Sequence, residues 1–336
     1  MDVRLSAEQR ALRSAATDLV DSLRPQSVID LADADRAARL DAAVAASGWR
    51  TLRDADEGGA PYASAVEAAI VAEEMGRGLA DAAFAGPVLA GELRRLAAAT
   101  PAGKPETVAM AADLSDLGLA GRRATAIDAG GATVALLLAG GELVSIPLSG
   151  TAEPVDLTRP HCPIESTAVT TPVSASITTA AMARWTAFGL ALTCADLVGV
   201  MRGAIALATD YAKIRKQYGA QIGSYQAVQH LLADAFVAME GSRSAALHAA
   251  WAVDAMPVDD ALAAAAGAKA FCARAGRAVC ETAIQVHGGI GNTWDCLAHV
   301  YLRRALVSID TLGGVGPSLD RVLLGARVVG TGHGLR

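Results

Sequence analysis

Over residues 5–98 the apolar positions of this chain fall three and four apart, the spacing of helices with one face turned to a core. Leu5, Leu12, Ala16 and Leu19 form the first stripe, and Ser6 followed by Gln9 makes a capping box at its start. A second helix is predicted over 31–47, stopped by Gly48. The run Asp56-Glu57-Gly58-Gly59-Ala60-Pro61 breaks helix inside a loop over 49–62, and further helices are predicted over 64–77 and 80–98. Glu73 and Glu74 read as the solvated face of the third helix. The rhythm changes at Thr100. Short apolar runs at 107–111, 133–138 and 143–148 read as strands, Ala139-Gly140-Gly141-Glu142 as a hairpin turn, and 168–174 as a further strand. Helical spacing returns near 176, with helices predicted over 178–213, 224–253, 258–286, 293–310 and 317–329. Ser224 is the N-cap of the second of these, and Val228, Leu231, Leu232 and Phe236 put one of its faces against a core. The pattern predicts a mainly α chain with a small middle β domain. It comprises an N-terminal helical domain over 1–100, a sheet or barrel-like domain over 101–175, and a C-terminal four-helix bundle over 176–336.

Composition sharpens this. Apolar residues make up 52% of the chain and aromatics only 4%, so an Ala- and Leu-rich core of packed helices is favoured. The formal net charge of −6 argues against nucleic acid as a partner. The most apolar run, 185–207, contains Asp196 and Arg202, which makes it a buried helix rather than a lipid span, with Asp196 structural. The first residues lack an apolar signal core, so a cytoplasmic protein with no membrane partner is expected. Cys162, Cys194, Cys272, Cys280 and Cys296 form no CxxC pair and sit among apolar neighbours; they read as buried free thiols, without metal.

One stretch concentrates chemistry. Arg215-Lys216-Gln217-Tyr218-Gly219-Ala220-Gln221-Ile222-Gly223 is a polar turn leading into the helix at Ser224. It offers a cation, amide side chains, an aromatic ring and helix-start N–H groups, which suit a phosphate or a heteroaromatic ring rich in acceptors. The same residues also make an ordinary connection between helices with a solvated basic pair. A second stretch, Ala283-Ile284-Gln285-Val286-His287-Gly288-Gly289-Ile290-Gly291, places two glycines where backbone can approach a ligand or simply cap a helix. His287 reads as packing or capping. Thr293 caps the next helix and Asp295 meets its dipole, a structural role with a general base as the alternative. Arg303 and Arg304 are either surface cations or anchors for an acidic neighbour.

Arg-Lys-Gln-Tyr-Gly-x-x-Ile-x-x-Tyr-Gln and the Gln285…Gly288-Gly289 run, in this order and followed by Thr293-Trp294, resemble the flavin-contacting signatures of the acyl-CoA dehydrogenase family. Glu73-Glu74-Met75-Gly76 also resembles a run of that family. The resemblance covers nearly the whole chain and implies FAD as cofactor. Arg215 would face the pyrophosphate, with Gln217, Tyr218, Ile222, Tyr225, Gln226, Gln285, Gly288 and Gly289 on the other contact positions of a flavin shared between subunits. It further implies an acyl-CoA substrate, α,β-dehydrogenation, an electron-accepting flavoprotein, and a homo-oligomer or a hetero-oligomer with a second acyl-CoA dehydrogenase subunit.

Two departures qualify it. Family members carry a catalytic Glu at one of two positions; here these are Leu312, in Thr311-Leu312-Gly313-Gly314, and about Gly189. Neither can take a proton. The loop that hydrogen-bonds the flavin ring is also missing, its nearest counterpart being 113–120, and the chain is short in this region. Three readings follow: a reduced subunit completed by a relative, as in members acting on steroid-like CoA thioesters; a self-sufficient dehydrogenase with a displaced base; or a non-enzymatic scaffold.

Overall fold

The computed structural model describes residues 4–150, 154–174 and 176–330. α1 (Ala7–Leu23) begins with the expected capping box, the Gln9 amide donating to the Ser6 hydroxyl and the Ser6 amide to the Gln9 side chain. The 31–47 prediction divides into a 3-10 turn (Val28–Ala32) and α2 (Ala34–Ala46), because the Asp33 carboxylate accepts from the Arg36 amide and starts a new helix. α3 (Ala65–Arg77) follows the loop as expected. α4 (Ala85–Leu96) starts later than the pattern suggests. Its cap is the distant Asp128, whose Oδ2 accepts from the Phe84 and Gly86 amides at 2.8 and 3.2 Å.

Six strands form one open mixed sheet: β1 (Glu106–Ala111), β2 (Ala124–Ala126), β3 (Val134–Ala139), β4 (Glu142–Pro147), β5 (Cys162–Ile164) and β6 (Thr171–Ser174), in the order β5-β2-β1-β3-β4-β6. β1 and β3 are parallel and the other pairs antiparallel. Between β3 and β4 the predicted hairpin is present, Gly140 and Gly141 both at positive φ (58° and 89°) with Ala139 opposite Glu142. β2 and β5, three residues each, are too short to show a period in sequence.

The remaining helices are α5 (Thr179–Ile214), α6 (Gln226–Ala255), α7 (Val258–His287), α8 (Ala298–Asp310) and α9 (Val315–Gly330). Helix α5, 36 residues long, is the central post and packs on α3, α6, α7 and α8. Its most apolar window is 78% buried, so its apolarity is accounted for by the core. At Gly199 a side chain would overlap the Glu73 carbonyl, so α3 and α5 meet backbone to backbone there.

Glu73 and Glu74 are not solvated. They are 3% and 0% exposed, because α3 is covered by α1, α5 and α6. Glu73 accepts from Arg202 at 2.6 Å and Arg243 at 3.0 Å, and Glu74 from Arg202 at 2.6 Å and Arg77 at 2.5 Å. Deeper still, Asp196 of α5 accepts from Arg304 of α8 at 2.7 and 3.0 Å, from the Ser308 hydroxyl at 2.6 Å and from Arg159 at 3.3 Å. Arg159 also binds Asp156 at 2.6 Å, and Arg304 reaches the Ala80 carbonyl and the Thr158 hydroxyl, both at 2.9 Å. Burial would raise the Asp196 carboxyl, but the Arg304 and Arg159 guanidiniums outweigh it and hold it below the usual carboxylate range. Arg304 is thus an acid anchor, whereas Arg303 lies over the Trp294 ring at 5.6 Å. The described cysteines, Cys162, Cys194, Cys272, Cys280 and Cys296, are free and buried, as read from sequence.

Lys269 of α7 was not singled out by the sequence. It is fully buried and donates to the Ser308 and Thr311 carbonyls at 2.5 and 2.8 Å, closing the C-terminal end of α8. Burial pushes its ammonium down to about 8.

Asp196→Ala leaves two buried guanidiniums without their shared anion and is expected to lower stability by about 3–5 kcal/mol, read as a lower denaturation midpoint. Lys269 titrates near 8 when folded against an ordinary 10.5, so the unfolded chain holds the proton more tightly. Its contribution to stability therefore rises with pH between these values, by up to roughly 1.4 kcal/mol per unit. The stability of the wild type relative to Lys269→Met should climb across that window in urea melts; a flat difference contradicts it.

Candidate functional site

The polar turn is a built hairpin. α5 ends at Ile214, Arg215 continues in extended backbone, and β7 (Lys216–Gln217) pairs with β8 (Ala220–Gln221). Tyr218 and Gly219 form its tip at φ 52° and 83°, with Tyr218 96% exposed. The Ile222 amide donates to the Arg215 carbonyl at 2.8 Å, and the Tyr225 hydroxyl to the Gln217 carbonyl at 2.9 Å, which ties the hairpin to the helix that follows. Among the described residues the exposed Arg215 guanidinium has no protein partner. Ser224 is not the N-cap: its hydroxyl donates to the Gln221 carbonyl at 2.6 Å, and α6 starts at Gln226 behind Tyr225, which offers no side-chain cap. The first turn of α6 thus keeps N–H groups without a side-chain acceptor beside a free guanidinium. The predicted apolar face divides as well. Val228 and Leu232 pack on the core, but Leu231 and Phe236 are 41% and 50% exposed, because α6 wraps the bundle on a different face.

The second motif closes α7. Gly288, at φ 66°, is its C-cap, and open space surrounds the positions where Gly288 and Gly289 would carry side chains. Gln285 is exposed one turn earlier. His287 is buried, with Nδ1 at 2.7 Å from the Ala283 carbonyl, and its ring stacks on Tyr211 at 4.5 Å. Tyr211 in turn accepts the Arg215 amide at 2.9 Å through its carbonyl. That stack brings the ends of α5 and α7 together, so both motifs lie side by side on one surface of one protomer. Arg215, Gln217, Tyr218, Tyr225, Gln226, Gln285, Gly288 and Gly289 are exposed there, and Ile222 is half-buried. Nothing in sequence marked Tyr211; its role depends on a contact between residues far apart in the chain.

Thr293 does not cap α8. Its hydroxyl donates to the Ile290 carbonyl at 2.8 Å, and α8 begins only at Ala298. Asp295 is exposed in the intervening turn, so the helix-dipole argument for it fails.

The two positions that lack an acid converge. Leu312 is fully buried at φ 63°, and its amide donates to the Leu114 carbonyl at 2.7 Å. A Cβ built on Gly189 would overlap Leu312 Cδ1 and lie 3.2 Å from Leu89 Cδ2. Leu114 belongs to 113–120, the segment standing where the ring-binding loop is expected, and Asp113 within it is engaged with Ser115 at 2.7 Å. Leucine side chains and a direct backbone bond thus fill the junction. The surface at Arg215 and Gly288 is open and offers donors that suit an anionic group such as a diphosphate. The Leu114–Leu312 junction offers leucine side chains and a closed backbone bond instead.

The acyl-CoA dehydrogenase C-terminal domain, as a family, matches residues 178–314. FadE34 of Mycobacterium tuberculosis, named an acyl-CoA dehydrogenase, is 43% identical over 128 residues, which is 38% of this chain and 18% of that protein. IpdE2 of Mycobacterium tuberculosis, also named an acyl-CoA dehydrogenase, is 31% identical over 267 residues, 73% of each protein. Among solved structures, the ChsE4–ChsE5 complex from Mycobacterium tuberculosis matches with a TM-score of 0.76 at 22% identity, covering 98% of this chain and 99% of that one.

Gly189→Ala should cost about 1–3 kcal/mol by overpacking against Leu312. Leu312→Ala in the same chain should recover much of that loss, a non-additivity readable in thermal melts. Additive losses would contradict the packing described.

Proposed function

The chain belongs to the acyl-CoA dehydrogenase family, and from that footing we propose that it is the reduced subunit of a two-subunit, cytoplasmic acyl-CoA dehydrogenase. In this reading it presents Arg215, the hairpin and Gly288-Gly289 to the adenosine and diphosphate half of a flavin whose ring lies in a related partner. The partner also supplies the catalytic carboxylate.

The observation that carries the reading is the pairing of an open half-site with a closed one. Arg215 and the uncapped start of α6 answer a diphosphate, since a planar guanidinium and helix-start N–H groups both donate to anionic oxygen. Gly288 and Gly289 leave room for backbone approach. Leu312, Leu89 and Gly189 offer no base and no room for a thioester. The flavin, when bound, accepts a hydride from the β carbon of the acyl-CoA. This chain's part is to hold phosphate, orient the nucleotide and exclude water along the shared edge. Ile214, Tyr218, Val237, Ile290 and Trp294 are large apolar side chains left exposed, as a subunit contact requires. The ChsE4–ChsE5 complex is a related assembly of two differently named chains. A self-sufficient homo-oligomer would need a base that this junction lacks.

Purified alone, the chain should be colourless; co-expressed with the related partner, it should yield a yellow complex that oxidises an acyl-CoA. Within that complex Arg215→Ala should weaken FAD binding by about tenfold or more. A yellow, active homo-oligomer would contradict the proposal, and so would unchanged flavin occupancy in the variant.

A further inference from the structure

A separate cavity of about 370 Å3 lies on the far side of α4 from Leu312, between the turn after α2, the 99–106 connection and the β2–β3 turn. Its size falls in the range of small-molecule sites. The floor is Asp54. A side chain at Gly91 of α4 would overlap Asp54 Oδ1, so only glycine lets the carboxylate lie against the helix. The neighbouring acids are already engaged: Glu106 holds Arg94 at 2.5 and 2.8 Å, and Asp41 holds Arg50. Among the described residues the Asp54 carboxylate accepts no hydrogen bond, and the exposed Lys104 ammonium, also in the lining, has no partner. Pro87, Ala99 and Ala132 add apolar lining.

We propose that this cavity binds a small amphipathic anion that also carries an N–H or O–H donor. The apolar body lies on the Ala–Pro lining, the donor meets Asp54, and the acid group meets Lys104. The Asp54 carboxylate is half-buried and open to the cavity, so a ligand N–H or O–H takes the place of water there. Burial, with Glu106 adding to it, pushes the Asp54 carboxyl up against the opposing pull of Arg94, in keeping with a missing donor. The assignment does not depend on the flavin half-site, which lies at the ends of α5 and α7.

The probe is 8-anilino-1-naphthalenesulfonate, which has an apolar body, an N–H and a sulfonate. Fluorescence titration of the full chain should show a tight component. Lys104→Glu, a surface change, should weaken it by about three- to fivefold, and Ala132→Trp, which fills the cavity, by about tenfold or more. Val169→Ser, in the exposed connection before β6, should leave it intact, and circular dichroism checks that all three variants fold. Should a variant fail to fold, Lys104→Gln or Ala99→Phe replaces it. The absence of a tight component overturns the proposal. A loss in only one of the two cavity variants, or an equal loss in Val169→Ser, also overturns it.

Discussion

The charge cluster at Asp196 is the constraint on which the rest of the structure leans. One carboxylate on the central helix holds Arg304 from α8 and Arg159 from the connection before β5, and through Arg304 it reaches the Ala80 carbonyl ahead of α4. Helical bundle, sheet and N-terminal helices are thereby joined at one buried point. Such a cluster is weak as a source of net stability, because desolvating the ions offsets their attraction. Its value is geometric: the partners satisfy one another in one arrangement only. Arg159 and Lys269 also meet on Ser308, Arg159 at its side-chain hydroxyl and Lys269 at its carbonyl, so the end of α8 is fixed from two sides.

That fixed end decides the chemistry. The turn after α8 delivers Leu312 against Gly189 and Leu89, and its amide bonds the loop at Leu114. A carboxylate at either position would be poised over whatever filled the junction; leucine closes it. The same rigid bundle carries the ends of α5 and α7 outward, where the Tyr211–His287 stack sets the arginine hairpin beside the glycine turn. One fold thus has an open polar edge at Arg215 and Gly288 and a filled interior at Leu312. The proposed division of labour between two related chains rests on this pair of observations.

Ion-paired carboxylates explain where the pattern misleads. Glu73 and Glu74 carry the mark of a solvated face, yet Arg202 and Arg243 reach them from α5 and α6. Periodicity records which residues are apolar, and it cannot say that an arginine from another helix will neutralise an acid. The caps fail for a related reason. Ser224 and Thr293 have the right chemistry, but both hydroxyls donate to carbonyls of the preceding turn, so each helix begins later. Asp128, which caps α4, lies too far along the chain to be linked to it by any local rule.

By itself the sequence determined the order of helices, sheet and helices, the Ser6 capping box, the Gly140-Gly141 hairpin, the central buried helix and the two motifs that resemble flavin contacts. These depend on neighbours within a few residues, where spacing and φ preference act directly. Only the tertiary structure decided that Gly189 and Leu312 share one place, that Tyr211 and His287 join the motifs, and that Asp54 lines a cavity without a donor among the described residues. Each of these is a meeting of residues far apart in the chain, set by how helices pack, and packing is a property of the whole set of side chains at once.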